Sequence, residues 1–182
     1  KLLRFEAIKS FSNVYEPVFR DPFPIQGNWR KEVFQNNNPI ILELGCGKGE
    51  YSVGLGRKYP NKNFIGVDLK GNRIYIGAKE ALETNLSNVA FLRTRIDFIL
   101  DYFGEYEVDE IWLTFSDPQP NKARKRLSSP LFIDRYKKIL KPRLIEEKML
   151  ILLRQGKISK WFSGWGQEAI SVGSAYAMND EE

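Results

Sequence analysis

Residues 41–50, ILELGCGKGE, constrain this chain more than any other stretch, because an apolar run ends there in glycines at every second position. Gly45, Gly47 and Gly49 let the backbone turn sharply and approach a ligand closely, with no side chains in the way. A strand that passes through a glycine turn into a helix opens the dinucleotide folds, but the spacing here is G-x-G-x-G and not the G-x-G-x-x-G of a pyrophosphate cradle. That spacing favours S-adenosylmethionine over NAD.

Residues 63–68, NFIGVD, read as a second buried strand closing on a carboxylate 23 residues after Gly45. An acid at that strand end can accept both ribose hydroxyls of an adenosine, and it repels the 2′-phosphate of NADP. Alone, Asp68 would read better as a solvated strand-end acid or as a cap for the helix starting near Asn72. Its pairing with the glycine turn favours the ribose role.

Periodicity places strands at 40–44, 64–68, 89–92 and 110–115. Helices are predicted at 50–58, weakened by Gly54 and Gly56, at 72–83 and at 97–103. A further amphipathic helix spans 130–140, with Leu131, Phe132, Tyr136, Ile139 and Leu140 inside and Arg135, Lys137 and Lys138 outside. Strict alternation implies an α/β fold with a mostly parallel sheet and helices on both faces, and ligands in such sheets sit at the carboxyl ends of the strands. Those ends carry Gly45, Asp68 and Asp117, together with Arg93 to Asp97, where an adenine would lie against the backbone of Arg95 and Ile96.

The chain has 182 residues, 42% hydrophobic, enough for one domain with a real core. It contains no histidine and a single cysteine, Cys46. Ser-His and Cys-His nucleophilic machinery, histidine metal sites, thiolate zinc clusters and an intramolecular disulfide framework are thereby excluded, and no metal is expected. The net charge of +5 points to an anionic partner only where it is clustered. It clusters at residues 122–126, KARKR, with four cations in five residues beside the end of the fourth strand. No apolar run approaches the ~20 residues of a membrane span, and no signal-peptide pattern opens the sequence, so a cytoplasmic location is expected.

From about Asn13 to Pro142 the sequence resembles the bacterial tRNA (guanine-N7)-methyltransferases, through ELGCGKGE at 43–50, FIGVDLK at 64–70 and IWLTFSDPQP at 111–120. Gly27, Asn28 and Trp29 match that family's N-terminal segment, and Leu140, Lys141 and Pro142 its L-K-P. The resemblance implies a Rossmann-like class I methyltransferase that takes S-adenosylmethionine and methylates N7 of a guanine in tRNA. Carried over by position, Glu43 and Asp68 belong to the donor site, Asp117 contacts donor and guanine, and Lys122 lies near a tRNA-contacting lysine, with Asn121, Arg124, Lys125 and Arg126 beside it. Guanine N7 has a lone pair and no proton to lose, so methyl transfer there needs alignment and no general base, in agreement with the missing histidine.

The chain departs from the family at Ser116, which replaces a proline, at Gln119, which replaces a tryptophan, and at Asn121, which stands where a lysine is usual. Arg95 occupies a position where many members carry an acid; it cannot accept a hydrogen bond from an adenine amine, so a donor contact there is backbone or absent. The expected organisation is one methyltransferase domain over 1–182, comprising an N-terminal extension (1–38), a donor-binding core (39–142) and a divergent or incomplete C-terminal part (143–182). Other readings of the same donor half are a methyltransferase for another RNA base or a small molecule, and an inactive RNA-binding relative.

Overall fold

The computed structural model describes residues 2–19, 21–114, 119 and 121–141. The chain divides into two compact units, Lys1–Lys141 and Pro142–Glu182, and all described residues lie in the first. Asp117 and the Ser116 departure fall outside the described residues.

Among the described residues, five strands form one sheet: β1 (Val14–Tyr15), β2 (Ile40–Leu44), β3 (Asn63–Asp68), β4 (Val89–Arg93) and β5 (Glu110–Trp112), in the order β1-β4-β3-β2-β5. Every pairing is parallel, so the carboxyl ends of the strands share one edge; Leu44 stands opposite Val67, and Asp68 opposite Arg93. The α-helices are α1 (Leu2–Ile8), α2 (Glu50–Lys58), α3 (Gly71–Glu83) and α4 (Pro130–Ile139). A π-helical turn spans Trp29–Phe34, and 3-10 turns span Ile96–Asp101 and Ala123–Lys125.

The central strands are buried on both faces, as parallel strands between helical layers must be, and their alternate residues feed two separate cores. Leu42, Leu44, Ile65 and Leu92 pack with Trp29, Tyr102, Phe103 and α4 on one face. Ile41, Phe64, Val89 and Phe91 pack with Val53 of α2 and with Ile74, Ala78 and Ala81 of α3 on the other.

β2 and α2 fall where the apolar pattern puts them. Gly56 of α2 follows from packing: a Cβ there would lie 2.2 Å from Val89 Cγ2, so the helix can rest on β4 only as glycine. Around Gly54 there is open space.

Three expectations about the helices change. Leu131 is 51% exposed, because Phe132, Tyr136 and Ile139 define the buried stripe at i, i+4 and i+7, and a residue one step earlier points about 100° away. Arg135, expected outside, is half-buried with its guanidinium over the Phe132 ring at 5.1 Å. The helix expected at 97–103 is a pair of 3-10 turns interrupted at Phe98.

Residues before 38 are woven into the same unit. β1 forms a sheet edge against β4, and Trp29 is fully buried, donating its indole N–H to the Tyr102 carbonyl at 2.8 Å. Glu107 accepts the backbone N–H groups of Gly27, Trp29 and Gly104 at 2.8–2.9 Å, which explains why the Gly27-Asn28-Trp29 triplet sits where it does. Asp109 accepts from Arg30 and from the Ile40 N–H, tying this turn to the start of β2.

Candidate functional site: a glycine loop between two carboxylates

β2 ends at Leu44, and the chain turns through Gly45 (φ 80°), Gly47 (φ 58°) and Gly49 (φ 76°) before α2 begins. The left-handed region penalises a Cβ at each position. The three glycines otherwise differ. A Cβ on Gly49 would meet the Phe91 ring at 2.4 Å, so this glycine lets the loop press onto the sheet. Nothing lies within 4 Å of a Cβ on Gly47, so the loop's open side is at Gly47.

Four of the loop's amides are already engaged. Gly45 and Cys46 both donate to the Val67 carbonyl, at 2.8 and 3.1 Å, and Gly49 donates to the Cys46 carbonyl at 2.8 Å. The Gly47 N–H donates to Asp68 Oδ2 at 3.0 Å, and the second oxygen of Asp68 accepts from the Lys70 N–H at 2.8 Å. A pyrophosphate site presents several unpaired N–H groups to its anion. Here four of the loop's N–H groups point into the protein, and the carboxylates leave the surroundings negative.

Glu43, the penultimate residue of β2, is 6% exposed and lies beneath the loop. Its Oε2 accepts from the N–H and hydroxyl of Ser52 at 3.0 and 2.6 Å, and its Oε1 from the Thr114 hydroxyl at 3.0 Å. Burial pushes its carboxyl above the usual range, opposed by the Ser52 and Thr114 hydrogen bonds. Ser52 and Thr114 carry no motif spacing, so no sequence signal marks them. Burial also raises the Cys46 thiol well above its ordinary value, reinforced by the Glu43 and Asp68 charges, which keeps the one cysteine a neutral packing group.

Arg95 opens the turn after β4 with an extended backbone, and Ile96 begins the 3-10 segment. The Arg95 guanidinium is held by Asp97 at 3.1 Å and lies 5.4 Å from the Phe98 ring centre. Residues 121–126 are exposed, with Ala123–Lys125 in a 3-10 turn. Lys122, Arg124 and Lys125 form no ion pair with another described residue. A Cβ on Gly45 would lie 3.9 Å from Leu127 Cδ1, which puts the basic turn directly beside the glycine loop. The structure thus gathers Glu43, Gly45, Gly47, Gly49 and Asp68 into one site with residues 121–126 at its flank. Among the described residues no cluster of acids or thiols could hold a metal, and no helix is long and apolar enough to cross a membrane.

A family model described as "Putative methyltransferase" matches residues 37–145. The tRNA (guanine-N(7)-)-methyltransferase of Bacteroides fragilis is 56% identical over 144 residues, 77% of this chain and 57% of the relative. The protein of the same name from Christiangramia forsetii is 50% identical over 147 residues, 78% of this chain and 66% of the relative. The chain thus spans less than two thirds of the length of these relatives. Among solved structures, an antibiotic-related methyltransferase superposes with a TM-score of 0.52 at 17% identity, over 61% of this chain and 57% of its own, a likeness of Rossmann-like fold. The chain therefore belongs to the family described as putative methyltransferases, whose model matches it, and its relatives at 50–56% identity carry the name tRNA (guanine-N(7)-)-methyltransferase.

Proposed function

We propose that this protein is an S-adenosylmethionine-dependent methyltransferase acting on N7 of a guanine in tRNA. The observation that carries the donor half is the pairing of spent loop amides with two carboxylates. Such a loop leaves few amides for a pyrophosphate and faces it with negative charge, whereas Glu43 and Asp68 favour a ligand that carries a sulfonium and an ammonium and presents ribose hydroxyls. The donor supplies an electrophilic methyl group on sulfur.

The chain's own residues supply placement. Asp68, already fixed by two amides, keeps lone pairs for the ribose, and the open side of Gly47 lets the ligand approach the backbone. Glu43 anchors the first turn of α2 and so sets the position of the loop. Asp117, assigned from the resemblance, orients the guanine by accepting from its N1–H and amino group. Placement of this kind contributes roughly 7–11 kcal/mol to a two-substrate reaction. Lys122, Arg124, Lys125 and Arg126 hold phosphates flanking that base, which matches their exposure beside the loop. The reading further takes residues 1–182 as parts of one methyltransferase, and the cytoplasm, where tRNA resides, as its location.

The test is incubation with methyl-labelled donor and unmodified bulk tRNA, followed by nucleoside analysis. Label in 7-methylguanosine is expected, and its loss in Asp117→Ala at an unchanged melting temperature. Label in a different nucleoside, or wild-type turnover by Asp117→Ala, contradicts the assignment.

A further inference from the structure

A cleft of about 420 Å³ opens at the carboxyl ends of β3 and β4, well within the ~300–1,000 Å³ of small-molecule pockets. One side comes from the core of the fold: Leu69, Thr94, Arg95 and Phe98. The other side comes from far away in the chain, from Glu16, Pro17 and Phe19. Leu69 directly follows Asp68, and the Thr94 N–H donates to the Asp68 carbonyl at 3.1 Å, so the cleft continues the ribose end of the glycine-loop site.

The N-terminal side is held by specific contacts. β1 pairs Val14 and Tyr15 with Phe91 and Leu92, which delivers the next residues to the end of β4. There Arg93 donates to Glu16 Oε1 at 2.6 Å, with the two side chains only 33% and 22% exposed. The same guanidinium donates to the Leu69 carbonyl at 3.4 Å and lies over the Phe5 ring at 4.9 Å, so it joins α1, the 16–19 segment and the turn after β3. Beyond this tie, the Phe19 ring lies 4.9 Å from the Phe98 ring at 51°. Phe19 and Leu69 are each 55% exposed, large apolar groups at the rim of the cleft.

We propose that residues 16–19 form the purine-side wall of the donor cleft, with Phe19 and Phe98 packing against the adenine and Glu16, acting through Arg93, positioning that wall. The proposal rests on the S-adenosylmethionine reading above. It also answers the Arg95 departure. Arg95 carries donors only and these are turned to Asp97 and Phe98, so its side chain gives the adenine amine no acceptor, and flat apolar contact takes over the recognition of the ring.

Calorimetric titration with S-adenosylhomocysteine tests this. Phe19→Ala raises Kd roughly three- to tenfold, the size of an aromatic contact, with no fall in melting temperature because the residue is half exposed. Glu16→Gln raises Kd as well, and in turnover assays it raises the donor KM while leaving kcat at saturating donor unchanged, a split that a general loss of structure would not produce. Wild-type Kd values in both variants overturn the proposal while the donor reading stands. A wild-type protein that fails to bind the probe overturns the donor reading, and this wall with it.

Discussion

Asp68, marked by its place at a strand end, and Glu43, marked only by the resemblance, carry different burdens. Asp68 sits at the rim with both oxygens on amides, and Glu43 lies beneath the loop with its lone pairs on Ser52 and Thr114. Asp68→Ala should weaken S-adenosylhomocysteine binding by about 1.5–3 kcal/mol, the worth of a charged acceptor, while tRNA affinity measured by filter binding stays the same. An unchanged donor Kd would remove Asp68 from the site. For Glu43, burial raises the folded pKa above the unfolded one. The stability it contributes is therefore full below the unfolded value and lost as pH rises through the folded value, starting from about pH 4.3. Glu43→Gln keeps an acceptor for Ser52 and a donor toward Thr114, so its melting temperature should vary less with pH over that range than the wild type. Glu43→Ala strands a buried N–H and should cost about 1–3 kcal/mol by denaturant titration. Asp68 is readable in the sequence because it ends an apolar run at a fixed distance from the glycines, whereas Glu43 enters only through the family resemblance. The partners of Glu43 are not readable, since a serine two residues into a helix and a threonine after a distant strand follow no spacing.

The elements are readable in proportion to their length and burial. β2, β3, α2 and α3 are long periodic segments bounded by glycine, asparagine or aspartate, and they fall within a residue of expectation. β1 escapes because two residues cannot show a period, and its place at the sheet edge is decided by pairing with β4. Of the strand expected at 110–115, Phe115 lies outside the described residues and the rest is regular over Glu110–Trp112, with Leu113 and Thr114 leaving the ladder as Thr114 turns to Glu43. Two neighbouring glycines should respond to alanine with opposite signs. Gly49→Ala combines φ 76° with a Cβ 2.4 Å from the Phe91 ring and should destabilise by roughly 1–3 kcal/mol or more. Gly54→Ala adds a methyl in open space inside α2 and should stabilise by about 1 kcal/mol. Thermal melts of the pair decide this, and a loss of stability in Gly54→Ala would contradict the described packing of α2.

Across the described unit, charge is arranged in two adjoining zones: carboxylates at and under the glycine loop, and a basic turn alongside it. The first suits a cationic donor and the second a polyanion, an arrangement that composition alone, at +5, could not disclose. If the turn holds phosphates, replacing Arg124 and Lys125 together with alanine should raise the KM for tRNA and leave donor binding intact. It should also reduce the log–log salt slope by roughly 0.7–0.9 for each phosphate no longer held. An unaltered slope with unaltered tRNA affinity would make the turn a solvated loop. On the proposed reading, a glycine loop with most of its amides spent between two carboxylates is a site for S-adenosylmethionine and not for a pyrophosphate. The most direct measurement of that claim is a parallel calorimetric titration of the same protein with S-adenosylhomocysteine and with NAD. Saturable binding of the first, weakened at least tenfold in Asp68→Ala, and no heat from the second is the predicted result; binding of NAD, or none of S-adenosylhomocysteine, would contradict it.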